Sequence, residues 1–150
     1  MWVGVISDTH GLLRPEAVEA LTGVEHILHA GDVGDPAILE ALRNIAPVTA
    51  IRGNVDVSGD CARLSETELV ELGGVGIYML HDLNALDLNP IAAGVAVVIS
   101  GHSHKAKIER KKGVLYFNPG SAGPKRFSLP ISVGLLEFVE GRVEARVVQL

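Results

Sequence analysis

The stretch from residue 96 to residue 104 constrains the fold of this chain more than any other. It opens with the apolar run 96–99 (AVVI) and closes with Gly101 and two histidines, His102 and His104. Such a run predicts a buried strand. Because residues i and i+2 of an extended chain point the same way, we expect both imidazoles to leave the strand's carboxyl end together, about 6–7 Å apart at Cα. That spacing suits two neighbouring metal ions, although a lone His-x-His pair can also be a solvated strand end.

Three apolar runs in the first third of the chain, residues 3–6, 26–30 and 48–51, repeat this plan. Each is followed by polar side chains that can bind a metal, and these are Asp8, His10, Asp32 and Asn54. Amphipathic segments that start at Pro15 and Pro36 separate the runs and predict two helices. The alternation predicts a βαβαβ start and therefore an α/β fold.

From residue 66 onward the pattern changes to hairpins. Residues 68–72 and 75–80 flank Gly73-Gly74, and two further hairpins are expected at residues 106–117 and 131–148. This part of the chain is therefore predicted to be mostly antiparallel. His81 follows the strand that ends at residue 80, and a short helix is expected near Asn89-Pro90.

Length and charge limit the class of protein. The 150 residues, 47% of them hydrophobic, predict one globular domain over residues 1–150. A net charge of −5 argues against a general nucleic-acid coat. No apolar run reaches the roughly 18 residues of a membrane span, so we expect no membrane partner. Cys61 is the only cysteine, which excludes an internal disulfide and favours a cytoplasmic location.

Five basic residues near the second hairpin would suit a nucleic acid, and they are Lys105, Lys107, Arg110, Lys111 and Lys112. The solvated face and turn of a hairpin account for them more simply.

The strand ends together supply seven candidate metal ligands. These are Asp8, His10, Asp32, Asn54, His81, His102 and His104. In open α/β sheets such ends converge on one crevice. Mixed oxygen and imidazole donors without a thiolate suit Mn²⁺ first, with Ni²⁺, Fe or Zn²⁺ as alternatives. Seven ligands are too many for one ion and enough for two, so two divalent metal ions are predicted. Two such ions against two carboxylates leave a positive cavity that attracts an anion.

The order of these motifs resembles the calcineurin-like metallophosphoesterase superfamily, most of all its small single-domain bacterial and archaeal phosphodiesterases. The resemblance runs through DTH at 8–10, GD at 31–32, GNVD at 53–56, His81, GHSH at 101–104 and NPGS at 118–121, and so covers nearly the whole chain. It implies a four-layer α-β-β-α sandwich with two mixed β-sheets flanked by helices. It also implies that a hydroxide bridging two metal ions hydrolyses a small phosphodiester substrate.

The resemblance also assigns roles by position. One ion would be bound by the side chains of Asp8, His10, Asp32 and His104. The other would be bound by Asp32, Asn54, His81 and His102, so that Asp32 bridges the pair. Arg52, Asn54 and Asp56 are the candidate substrate-binding residues.

Two positions depart from the family pattern. Many relatives have a histidine directly after the Asn of the Gly-Asn block, where this chain has Val55, and close relatives often read His-Gly-His where this chain has His81-Asp82-Leu83. The acid that protonates the leaving group is therefore open between Asp56, Asp82 and metal-bound water.

The main alternative is a binding scaffold of the retromer-subunit type with a vestigial metal site. A pure scaffold has no need of all seven ligands, which argues against it. The sequence leaves the oligomeric state open, a homo-oligomer included.

Overall fold

The first part of the chain folds as βαβαβ, as predicted. In the computed structural model, which describes residues 1–150, the three strands lie side by side in parallel. The elements are β1 (Trp2–Ile6), α1 (Pro15–Ala20), β2 (His26–His29), α2 (Pro36–Arg43) and β3 (Val48–Ala50). Both helices start at a proline, whose missing N–H costs nothing at that position. The side chain of Asp35 caps α2 by accepting a hydrogen bond from the backbone N–H of Ala37.

The last hairpin completes this first sheet. Strands β9 (Ser132–Val139) and β10 (Arg142–Gln149) pair with each other, and β9 pairs antiparallel with β1. The strand order is β10-β9-β1-β2-β3. The first sheet is therefore mixed, with its parallel part on the side that carries Asp8 and Asp32.

The second sheet combines two hairpins with a central strand. Its strands are β4 (Thr67–Leu72), β5 (Val75–Leu80), β6 (Val97–Ile99), β7 (Lys107–Lys111) and β8 (Val114–Asn118), in the order β4-β5-β6-β8-β7. The hairpins are antiparallel as predicted, but β5, β6 and β8 are parallel. The later strands are thus mostly antiparallel, as expected, and the exception is β6, which inserts between the two hairpins and pairs in parallel with both. Its complete burial is typical of an interior parallel strand.

No helix forms at Asn89-Pro90, contrary to expectation. The Asn89 side chain accepts hydrogen bonds from the N–H groups of Ile91 and Ala92, and Gly94 ends the turn with a positive φ of 74°. The segment instead contains one short 3₁₀ turn, Leu83–Ala85. No helix in the structure has the length and apolar character needed to cross a membrane.

Apolar side chains hold the layers together. Residues such as Val5, Ile77 and Phe117 fill the space between the two sheets. Ala17 of α1 and the buried side chains Ile38, Leu39 and Leu42 of α2 pack on the outer face of the first sheet. Leu83 and its neighbours in residues 81–95 cover the outer face of the second sheet. The predicted sandwich of two mixed sheets is confirmed, and its fourth layer is this loop segment.

Candidate metal centre

The candidate ligands lie in tight loops that directly follow the strands. Five of them have a positive φ, and they are Asp8 (57°), His10 (46°), Asp32 (56°), His102 (71°) and His104 (61°). This conformation costs a residue other than glycine on the order of 1 kcal/mol or more, so the surrounding packing must hold it in place. Backbone strain is thus concentrated where the side chains turn into one cavity.

The geometry of His102 and His104 differs from the one expected for two residues at the end of a strand. Strand β6 ends at Ile99, and neither histidine lies on an extended backbone. Nε2 of His104 lies 3.4 Å from Oδ1 of Asp8, whereas the His102 ring packs edge-on against the His81 ring at 5.2 Å. The two histidines therefore reach opposite halves of the site, for a different reason from the one that the sequence suggested.

One group of possible ligands consists of Asp8, His10 and His104. Oδ1 of Asp8 is 3.8 Å from Nε2 of His10 and 3.4 Å from Nε2 of His104. The two imidazole rings are 5.4 Å apart between their centroids. The ligand atoms of all three residues lie within 4.8 Å of one another, which is close enough to surround one ion.

A second group consists of Asp8, Asp32 and His81. Oδ2 of Asp32 lies 3.2 Å from Nε2 of His81 and 3.5 Å from Nε2 of His10. The same carboxylate oxygen therefore faces ligands of both groups. Asp8 belongs to both groups as well, so the two carboxylates form the centre of the cluster.

Hydrogen bonds fix the ligands and leave one atom of each free. The ring of His81 donates from Nδ1 to the carbonyl of Ala30 at 2.7 Å, which directs the Nε2 lone pair toward the carboxylates. Oδ2 of Asp8 accepts from the Ser7 hydroxyl at 2.6 Å and from the His102 N–H at 3.1 Å. Oδ1 of Asp32 accepts from the Val55 N–H at 3.0 Å.

The remaining atoms are short of partners. Oδ1 of Asp8, Nε2 of His10 and Nε2 of His81 are buried and make no hydrogen bond. Buried polar atoms are almost always paired, and here three such atoms face a common space. A cation in that space would satisfy all of them, so the residues fit a metal centre.

The electrostatics of the two carboxylates also fit a metal centre. Burial opposes ionisation of Asp32, but the adjacent His81 ring and the hydrogen bond from the Val55 N–H lower its pKa to about 2. Burial raises the pKa of Asp8, and the Ser7 hydroxyl offsets only part of that shift. Two carboxylates this close in a buried cluster are costly without positive charge between them.

Asn54 and His102 lie on the solvent side of the cluster. Together with His81 they line a cavity of about 730 Å³. The His102 side chain is 43% exposed, and its Nε2 is 3.9 Å from Oδ2 of Asp82. Five of the seven predicted ligands therefore form the cluster, three histidines around the two carboxylates, and Asn54 and His102 line the cavity beside it.

The predicted substrate residues have different environments. Arg52 lines the same cavity as Asn54 but is paired with Glu66 at 2.8 Å and donates to the Ala62 carbonyl. Asp56 is only 3% exposed. Its carboxylate accepts three backbone hydrogen bonds, from Val33, Gly34 and Gly53. The structure thus gives Asp56 the role of joining the loops after β2 and β3, and the carboxylate is available neither to substrate nor as an acid.

Small residues allow this close packing. A Cβ atom at Gly53 would collide with the Asp32 carboxylate, and one at Gly101 would collide with the Ser7 hydroxyl. Asn118 donates from Nδ2 to the carbonyl of Gly101 and so holds the histidine loop. Sequence reasoning missed the role of Ser7, although a hydroxyl next to a buried aspartate is a pattern that could have indicated it.

His29 supports the cluster from behind. It is fully buried, and Gly31 donates its N–H to Nδ1 at 3.1 Å. The Thr9 hydroxyl donates to the Val33 carbonyl, so it accepts from Nε2 of His29 at 3.0 Å. These contacts require a neutral imidazole, and burial lowers the pKa of His29 to about 4.

This neutral histidine predicts a loss of stability in acid. Because the unfolded chain binds a proton below about pH 6.5 and the folded chain only below about pH 4, stability falls as the pH drops between those values. We expect His29 to account for about 2 kcal/mol of lost unfolding free energy between pH 7.5 and pH 5. Urea unfolding with chelator present should show that loss in wild type and in His26→Ala. In His29→Asn it should be missing, and an equal loss there would contradict the assignment.

The comparisons with known proteins agree with the geometry. The model of the calcineurin-like phosphoesterase superfamily domain matches residues 1–141. The chain belongs to this superfamily. A probable metallophosphoesterase of Methanothermobacter thermautotrophicus is 36% identical over 99% of this chain and 92% of its own length. A phosphodiesterase of Methanocaldococcus jannaschii is 28% identical over 91% of this chain and 93% of its own.

A solved structure extends the likeness to the fold, and that structure contains a bound metal ion. Vps29 of Entamoeba histolytica, solved in complex with Zn²⁺, is 26% identical, covers 99% of both chains and has a TM-score of 0.75. Calcineurin-like phosphoesterases use divalent metal ions, and the two ligand groups of this chain are suited to them. The resemblance stated from the sequence and the predicted fold class are both confirmed.

Proposed function

We propose that the protein is a phosphodiesterase that depends on two divalent metal ions. The observation that carries this proposal is the set of buried, unpartnered ligand atoms on Asp8, His10 and His81, which face one another around two carboxylates. The relative named as a phosphodiesterase supports the substrate class. Mn²⁺ is our first choice of metal because the donors are oxygen and imidazole nitrogen, with Ni²⁺, Fe and Zn²⁺ as alternatives.

The ligand assignment follows the two halves of the cluster. Asp8, His10, Asp32 and His104 would hold one ion. Asp32, Asn54, His81 and His102 would hold the other. The position of Asp32 Oδ2, within 3.5 Å of His10 and 3.2 Å of His81, supports this carboxylate as the bridge.

The chain and the metals have separate tasks. When bound, two divalent ions lower the pKa of water toward neutrality and neutralise charge on the phosphate oxygens. The chain keeps Asp32 ionised and orients His81 through the Ala30 carbonyl. Arg52 lines the cavity and could contact the phosphate, although its guanidinium is already paired with Glu66. With the Asp56 carboxylate fully engaged, Asp82 is the remaining side chain that the sequence offers as a leaving-group acid, and it is 41% exposed at the cavity.

The partners follow from the same site. We propose a small phosphodiester as substrate, with neither a membrane nor a nucleic-acid coat as partner, and we leave open a homo-oligomer. The hairpin of β7 and β8 argues against a nucleic-acid partner, since Lys107 and Lys111 pair with Glu109 and Arg110 pairs with Glu144. A cytoplasmic location stays a prediction, based on the single cysteine, Cys61, whose thiol is free and buried.

A binding scaffold is the second candidate. Its support is the structural likeness to Vps29, a vacuolar protein sorting protein. Scaffold and enzyme differ in one measurable respect, because only the enzyme turns over a phosphoester when loaded with metal.

The test is reactivation of metal-free protein. We expect chelated protein to be inactive toward bis(4-nitrophenyl) phosphate and to regain activity with Mn²⁺, with the monoester 4-nitrophenyl phosphate hydrolysed more slowly. Nitrophenolate release gives the rates for each metal. Protein that binds metal yet hydrolyses neither ester would contradict the proposal and favour the scaffold.

A further inference from the structure

Two cavities of different charge meet at the candidate metal centre, and both are lined by His102 and Asp82. We call the first the lysine cavity; it is about 500 Å³ in volume and also includes Lys105, Lys107 and Tyr116. We call the second the acidic cavity. It has about 730 Å³ and also includes Glu66 and Asp87. Both volumes lie in the range of small-molecule sites.

The lysine cavity offers a free cation. Lys107 is neutralised by Glu109 at 2.8 Å, but no carboxylate lies within ion-pair distance of Lys105. The backbone of Lys105 is held in place because its N–H donates to the Ser103 hydroxyl at 3.2 Å. Tyr116 and Leu83 supply apolar lining beside these charges. The cavity can therefore accept a group that is partly apolar and partly anionic.

The acidic cavity repels the same group. Glu66, Asp82 and Asp87 contribute three carboxylates, and the one guanidinium present, that of Arg52, is already paired with Glu66. Asp82 faces both cavities and does not distinguish them. The remaining side chains leave the acidic cavity more negative than the lysine cavity.

We propose that the lysine cavity binds the ester substituent of the substrate that carries additional negative charge, as in a nucleoside bearing a second phosphate. This inference rests on the proposed phosphodiesterase function. A phosphodiester has two ester substituents, and His102 places the candidate metal centre at the junction of two cavities that could each receive one. Charge would then decide which substituent occupies which cavity.

Two chromogenic substrates separate the effect of charge from that of size. They are thymidine 5′-(4-nitrophenyl phosphate) and the same compound with a 3′-phosphate. In both, water replaces nitrophenolate at phosphorus, so that the P–O bond to the aryl group breaks, a proton is released and a thymidine 5′-phosphate remains. We expect wild-type protein to prefer the 3′-phosphorylated compound about 5- to 10-fold in kcat/KM, and the preference to shrink as salt is added.

The matched variants are Lys105→Gln and Lys112→Gln. Lys112 also has no carboxylate within ion-pair distance, but it lies in the turn after β7 and outside both cavities. Each variant removes one positive charge. Lys105→Gln should lower the preference to about twofold or less, whereas Lys112→Gln should keep it.

Each outcome distinguishes this inference from the proposed function. Hydrolysis of bis(4-nitrophenyl) phosphate with no preference between the thymidine substrates would overturn the lysine cavity alone. An equal loss of preference in both lysine variants would also overturn it, since only net charge would then matter. Failure of metal-loaded protein to hydrolyse any of the three compounds would overturn the phosphodiesterase proposal itself.

Discussion

Replacing Asp32 with asparagine is expected to lower kcat/KM for bis(4-nitrophenyl) phosphate by about 10³-fold or more. Oδ2 of Asp32 faces both His10 and His81, so loss of its charge weakens both proposed metal sites at once. Asparagine keeps an oxygen that can accept the hydrogen bond from the Val55 N–H. The fold should therefore survive a change that removes activity. The rates are measured by nitrophenolate release from Mn²⁺-loaded protein.

His26→Ala is the matched control for this variant. His26 lies at the start of β2, and its ring contacts the Thr49 hydroxyl at 2.8 Å, away from the cluster. We expect its activity to stay within about twofold of wild type. Equal losses in the two variants, with circular dichroism showing both folded, would contradict the site as assigned.

The second large effect concerns the leaving group. An alkoxide leaves poorly without a proton, and a positioned acid typically contributes about 10²–10⁴-fold, whereas nitrophenolate leaves without help. Val55 occupies the position where many relatives have a histidine; its N–H bonds to Oδ1 of Asp32, and the residue is 44% exposed. We therefore expect an unusually strong preference for thymidine 5′-(4-nitrophenyl phosphate) over thymidine 5′-(ethyl phosphate). Chromatography of the common product, thymidine 5′-phosphate, measures both rates.

Introducing the missing imidazole should reduce that preference. Val55→His is expected to lower the aryl-to-alkyl ratio of kcat/KM by at least about tenfold if the ring reaches the leaving oxygen at about 3 Å. Val57→His is the control, because Val57 is 78% exposed on the same loop but two residues farther along. If wild type already cleaves both esters at similar rates, an acid is present, and Asp82 is then the first residue to replace.

Local sequence patterns predicted the parts of the fold that depend on neighbours along the chain. The apolar runs that end before Asp8, Asp32 and His81 form β1, β2 and β5, and their carboxyl ends bring these side chains together. The sequence also predicted the tight hairpin in which Gly73-Gly74 joins β4 to β5. In both cases the signal lies within a few residues.

Features that depend on distant contacts could not be predicted in this way. The backbone of His102 is held in its left-handed conformation by Asp8, 94 positions away in the sequence, and Asn118 fixes the adjoining carbonyl of Gly101. The carboxylate of Asp56 accepts hydrogen bonds from the backbone N–H groups of Val33 and Gly34, which lie in the loop after β2. The parallel pairing of β5, β6 and β8 was not predicted for a different reason, since no α-helix lies between these strands to indicate a parallel crossover.

The number of metal ions bound at saturation decides whether the centre is dinuclear. Chelated protein is loaded with Mn²⁺, freed of excess metal and analysed for metal and protein content, while hydrolysis of bis(4-nitrophenyl) phosphate is followed on the same samples. We expect wild-type protein to approach two ions per chain and its activity to rise as the second ion binds. A folded wild-type protein that holds no more than one ion under any loading would contradict the dinuclear centre.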